Sequence, residues 1–130
     1  EWGFATVDLM CIDLFTGETS FYKYGAAPSY VKFGNGIKRI KGRSLAVGLA
    51  AGEGSAPDVV RMKLKPGSIA VIASDGVMVQ EDDRWLRSLL SNWKDGSSKE
   101  LATETMTAAV KQYGRTDDMT VLTVFVNQRA

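Results

Sequence analysis

The side chains able to do chemistry in this chain are mostly acids. Asp75 stands in Ile72-Ala73-Ser74-Asp75-Gly76-Val77, directly after a run of apolar strand formers. Asp117 and Asp118 stand side by side in Thr116-Asp117-Asp118-Met119-Thr120-Val121, directly before another such run. The chain has no histidine and a single cysteine, Cys11. That excludes Ser-His-Asp and Cys-His nucleophile systems and the HExxH zinc motif. Any catalysis must run on carboxylates, hydroxyls, lysine, arginine or a metal.

Each acid has a plain structural reading. Asp-Gly is a common turn pair, and an acid before a strand can bond backbone amides. Their positions suggest more. The end of one strand and the start of another coincide when the two are antiparallel neighbours, so Asp75 and Asp117 are expected at one edge of a sheet. Two like charges there repel unless a cation holds both ionised. Oxygen-only ligands suit Mg²⁺ or Mn²⁺ rather than Zn²⁺. Gly76 would let the backbone come close to the ion or its waters.

The elements that must position these residues can be read from periodicity. Residues 4–15 form a strand, 16–18 a turn with Gly17 free to take positive φ, and 19–25 a second, alternating strand; together they make a hairpin. Residues 27–34 and 37–41 make a second hairpin, so the first half reads as an antiparallel meander. Residues 60–65 alternate Val, Met and Leu against Arg, Lys and Lys, a strand with one wet face. Residues 68–74 are apolar on both faces and therefore central. Asp82-Asp83 opens a helix in which Trp85, Leu86, Leu89, Leu90 and Trp93 recur at helical spacing. A second helix runs from about Lys99 to Tyr113, with Gly114 as its C′ residue. A final strand covers 119–127. Strands first and helices later predict one α+β domain over residues 1–130, with a mostly antiparallel sheet.

Bulk properties narrow the function classes. The chain has 130 residues and a net charge of +1, so charge excess gives no reason to expect binding to nucleic acid or anionic membrane. The longest apolar runs, such as 69–73, are far too short to span a bilayer. A cytoplasmic location with no membrane contact by this chain is expected, any membrane anchor lying elsewhere in the parent. Opening on Glu1-Trp2 and running at once into a strand pattern, the chain reads as a segment of a longer protein. Cys11, in Leu9-Met10-Cys11-Ile12, is expected to be a small core residue. Lys38, Arg39, Lys41 and Arg43 form a basic cluster, read as a solvated hairpin edge in preference to a surface steering an acidic or phosphorylated partner. The glycine-rich stretch 48–54 lacks a following GK[ST] and is a loop rather than a phosphate cradle. Trp85 and Trp93 are expected to pack in the core. Asp13 should bond within the turn around Thr16 and Gly17. Asp8, on the opposite face of the first strand, receives no role.

Four segments agree in order and spacing with a known family. "ASDGV" followed by two helices and then "GRTDDMTVLTV" resembles the C-terminal half of a PPM-type (type two C) metal-dependent Ser/Thr phosphatase. "FATVDLMCIDLFTGETSFYKYGAAPSYV" resembles the hairpin of the stage II sporulation protein E branch, through its D-L-[FY]-T-G-E turn and G-A-x-P-S loop. "SLAVGL" resembles that branch's "PLG" segment, with Ala46-Val47 where relatives often carry Pro-Leu. The resemblance implies a sandwich of two antiparallel sheets flanked by helices. It implies removal of phosphate from phosphoserine or phosphothreonine by a metal-activated water, with two Mn²⁺ or Mg²⁺ ions in the complete domain. By the same resemblance Asp75 and Asp117 ligate one of those ions, and Gly76 and Asp118 support them. The substrate class implied is a phosphorylated anti-sigma-factor antagonist. The family's first metal site, an aspartate in a "DGMG"-like turn, lies upstream of the matching region. This chain alone is therefore expected to hold half a metal site, to be inactive, and to be prone to homodimerise through sheet surface left bare. The competing reading is a phosphatase-like regulatory or interaction module without catalysis.

Overall fold

The computed structural model describes residues 3–34, 36–48 and 56–127. Seven strands and two helices follow in the order β1 (Val7–Ile12), β2 (Glu18–Tyr24), β3 (Ser29–Phe33), β4 (Gly36–Ile40), β5 (Asp58–Lys63), β6 (Ile69–Ala73), α1 (Arg84–Asn92), α2 (Ser98–Tyr113) and β7 (Val121–Phe125). They form a three-stranded sheet of order β1-β2-β5 and a four-stranded sheet of order β4-β3-β6-β7, antiparallel throughout. The α+β expectation holds, and so does the central place of β6, flanked by β3 and β7.

One expectation is overturned. The two N-terminal hairpins do not form one meander, because β1-β2 and β3-β4 lie in different sheets. The chain leaves the first sheet at Gly25, which has φ +59° and has no room for a side chain because its Cβ would meet the Ala46 backbone. Both hairpins carry an apolar face, and stacking one on the other buries both at once. Phe21 from the first hairpin thus meets Val31 and Ile40 from the second, with Leu64 and Ala70, in the layer between the sheets.

A second core lies on the far side of the four-stranded sheet. There Tyr30, Val71 and Ala73 pack against Leu86 and Leu90 of α1 and Leu101 and Ala109 of α2, with Trp85 and Trp93 partly buried against them as expected. Alternation along β6 makes this possible: Ala70 faces the other sheet while Val71 and Ala73 face the helices. Lys32 ties the layers by donating from Nζ to the carbonyls of Leu90 (2.5 Å) and Trp93 (2.8 Å) at the end of α1. Helix α2 starts on Ser97, whose side chain accepts from Glu100 N, and ends at Gly114 with φ +76°.

The remaining face, outward on the three-stranded sheet, has no helix on it among the described residues. Val7, Leu9 and Val59 are exposed there. Cys11 shares their parity on β1 and is also exposed, not a core residue as expected. Its neighbours Met10 and Ile12 take the inward positions, because a strand sends alternate side chains to opposite faces. The run of four apolar residues concealed which parity was inward. Asp13 behaves as expected, accepting from Phe15 N (2.8 Å) and Thr16 N (3.2 Å). Most of the glycine-rich stretch 48–54 lies outside the described residues.

Candidate active site

The pairing of β6 with β7 builds the site. The register Ala73↔Val121 is extended one step by Ser74, whose N–H donates to the Thr120 carbonyl (3.0 Å) and whose Oγ accepts from Thr120 N (2.9 Å). Beyond it the chain turns sharply, with the amides of Val77 (3.0 Å) and Met78 (3.2 Å) both donating to the Ser74 carbonyl. Asp75 sits on the exposed corner of that turn, and Gly76 beside it is buried. On the facing segment Asp117 and Asp118 are exposed, and Asp117 Oδ1 accepts from Asp118 N at 2.8 Å.

Gly76 joins the two segments. A Cβ at this position would strike the Asp118 carbonyl oxygen, and would lie 3.0 Å from the Asp118 carbonyl carbon and 3.3 Å from the Asp117 carbonyl oxygen. Ser74 Oγ also lies 3.4 Å from the Asp118 carbonyl oxygen, as its donor. The backbone of the Asp-Asp pair is therefore clamped onto the Ser-Asp-Gly turn. The topology expected from sequence is present: Asp75 and Asp117 come to the same end of the same strand pair. Among the described residues no group of three or more His, Cys, Asp or Glu side chains is placed to hold a metal ion.

Three depressions surround this end. One, of about 240 Å³, is lined by Asp75 together with Asp8, Thr6, Ser74 and Thr120. A second, also about 240 Å³, joins Asp75 to Arg39, Lys41 and Glu81. A third, about 390 Å³, carries Asp117, Asp118 and Arg115. Asp75 thus opens onto two of them, both rich in polar side chains.

Sequence reasoning missed a buried ionic cluster beside the site. Lys23 is 1% exposed, and its ammonium donates to Asp8 Oδ2 (2.7 Å) and Ser29 Oγ (2.8 Å). Burial pushes the Lys23 pKa down, while the hydrogen bond and charge of Asp8 work against that shift. Asp8 Oδ1 is buried with no hydrogen-bond partner among the described residues. The available signal was parity: Asp8 shares its face with Met10 and Ile12, and Lys23 with Phe21.

Comparison with known proteins identifies the family and the fold. The family model described as Stage II sporulation protein E matches residues 1–127. Stage II sporulation protein E of Bacillus subtilis is 28% identical over 131 residues, covering 95% of this chain and 16% of that protein. The solved phosphatase domain of the cell fate determinant SpoIIE from Bacillus subtilis, from a Mn-presoaked crystal, superposes with a TM-score of 0.79 at 26% identity. It covers 96% of this chain and 58% of its own. The catalytic domain of the serine/threonine protein phosphatase PstP, solved in complex with two manganese ions, shares the fold at a TM-score of 0.72 and 17% identity, over 95% of this chain and 59% of its own. This chain therefore spans less than two thirds of the length of each of these relatives. With the family model matching almost its whole length, and with the Ser-Asp-Gly turn clamped to the Asp-Asp pair, the chain belongs to the stage II sporulation protein E family.

Proposed function

We propose that this chain forms the C-terminal part of a metal-dependent phosphoprotein phosphatase domain, with Asp75 and Asp117 as ligands to one divalent cation. The observation that carries the reading is the register of β6 and β7, which brings both carboxylates to one sheet end, where Gly76 admits the Asp117-Asp118 backbone. The donor chemistry fits a hard cation: both side chains are exposed carboxylates on a hydrogen-bonded corner. Two ligands supply part of a coordination shell, the rest coming from water and from groups outside this set. When bound, Mn²⁺ or Mg²⁺ would supply an activated water and would neutralise charge building on the phosphoryl oxygens. Asp117 is held for this by the Asp118 amide on its Oδ1, and its other oxygen has no hydrogen-bond partner among the described residues. Asp118 acts mainly through its backbone, as donor to Asp117 and as the carbonyl packed on Gly76.

The substrate would be a phosphoserine or phosphothreonine in a small signalling protein of the anti-sigma-factor-antagonist kind. No helix in the described residues is long and apolar enough to cross a membrane, which suits action on a protein in aqueous solution. The exposed Val7, Leu9 and Val59 give the outer sheet face a surface suited to self-association.

The test uses the complete domain from the protein that carries this chain. Mn²⁺ binding is titrated by electron paramagnetic resonance, and phosphate release from a phosphoserine peptide is followed in parallel. Binding and release should both appear; Asp117→Asn should lose one bound ion and should cut release by about a hundredfold. A folded domain that neither binds Mn²⁺ nor releases phosphate would instead favour a non-catalytic interaction module.

A further inference from the structure

The basic cluster of residues 38–43 is not only a solvated edge. Arg39 on β4 and Lys41 just after it reach across to the loop between Asp75 and α1, where both hold Glu81. Arg39 Nη2 lies 3.1 Å from Glu81 Oε2 and Lys41 Nζ lies 2.8 Å from Glu81 Oε1. The same groove is lined by Asp75 and by the segment Gly25-Ala26-Ala27-Pro28. That segment is small and uncharged and adds no acid to compete with an incoming one.

The pair of cations is built, and its acid is replaceable. Arg39 is 28% exposed and is braced from behind by Asp83, 3.7 Å from its Nε. Asp83 is in turn held by the Tyr30 hydroxyl (2.6 Å) and by Arg87 (3.0 Å). Arg39 Nε is itself buried with no hydrogen-bond partner among the described residues. Glu81, in contrast, has a side chain 77% exposed, and among the described residues it bonds these two cations alone. Their hydrogen bonds and charges, Lys41 first, hold its carboxyl below the usual carboxylate range. Exchanging one exposed carboxylate for another costs little, since exposed ion pairs contribute less than about 1 kcal/mol.

We propose that Arg39 and Lys41 form a docking site for an acidic side chain of the protein substrate, close to its phosphorylated residue, and that Glu81 is the internal placeholder that this side chain displaces. The substrate class is a phosphoprotein segment carrying Asp or Glu beside the phosphorylated position. The inference deepens the phosphatase reading and rests on it. The groove would orient the segment so that its phosphoryl group reaches the Asp75 end.

The experiment measures binding without turnover. The complete domain, in EDTA, is titrated against two fluorescein-labelled phosphoserine peptides that differ only in having Glu or Gln flanking the phosphoserine, and anisotropy is read. The Glu peptide should bind about fivefold more tightly at low salt, with the preference fading as salt rises. Lys41→Gln and Arg39→Gln should each reduce the preference below about twofold. Glu81→Gln, which removes the competitor, should raise it. Lys41→Glu should favour a Lys-flanked peptide instead, and this exposed variant decides the matter if Arg39→Gln fails to fold. Equal affinity for both peptides in the wild type, or a preference that survives both Gln substitutions, overturns the proposal. A domain that shows the preference but releases no phosphate with Mn²⁺ supports the groove and counts against the phosphatase reading alone.

Discussion

Gly76 and Asp118 touch backbone to backbone, 42 positions apart in the chain and with no space between them for a methyl group. A flexible side chain could swing away from an added Cβ; a carbonyl clamped by Ser74 and by the β7 ladder cannot. Gly76→Ala should therefore push the Asp117-Asp118 segment off the turn. We expect a loss of about 1–3 kcal/mol in stability, seen by calorimetry on the complete domain. Mn²⁺ affinity should fall with it. A variant with wild-type melting and wild-type Mn²⁺ binding would show that the close approach has no structural weight.

Asp117 and Asp118 should respond unequally to substitution. The bond that orients Asp117 comes from the Asp118 amide, which alanine retains. Asp118→Ala should weaken Mn²⁺ binding by less than about tenfold, whereas loss of a direct ligand in Asp117→Ala should remove one of the bound ions. Isothermal titration with Mn²⁺ distinguishes the two. Equal losses would mean that the Asp118 carboxylate is itself a ligand.

The buried Lys23–Asp8 pair should be costly to break and cheap to replace. Lys23→Met leaves the Asp8 carboxylate without its cation between the sheets, a change worth about 3–5 kcal/mol. The double variant Asp8→Asn, Lys23→Met removes both charges and should recover most of that loss. Urea unfolding of the three proteins would settle it. No recovery in the double variant would mean that each residue acts through separate contacts.

Tyr30 links stability to alkaline pH. Burial first, and then its hydrogen bond to Asp83, push the Tyr30 hydroxyl up from 10.0 to about 12. In the folded protein it keeps its proton where the unfolded chain has lost it. Its contribution is thus fully present below pH 10 and declines as pH rises toward 12, by about 1.4 kcal/mol per pH unit. The difference in unfolding free energy between wild type and Tyr30→Phe should narrow across that window by denaturant titration. A difference independent of pH would show that Tyr30 titrates at its ordinary value.

Much of this protein was legible in its residues. Hairpin turns, the one-sided β5, the doubly apolar β6 and both helices follow from local periodicity and turn chemistry, which act over a few residues. The convergence of Asp75 and Asp117 was also legible, because adjacent antiparallel strands bring the end of one to the start of the other, and β6 and β7 do so. Tertiary structure decided what depends on which surface covers which. Alternation alone did not say which parity of β1 faced inward, so Cys11 was misplaced and Asp8 had no role until the four-stranded sheet settled on Met10, Ile12 and Phe21. Local pattern could not assign β1-β2 and β3-β4 to separate sheets, because burying both apolar faces against each other is a property of the pair. Nor could it bring Arg39 and Lys41 to Glu81, some forty residues on. Contacts of that length are set by packing of the whole fold, and no local stretch carries them.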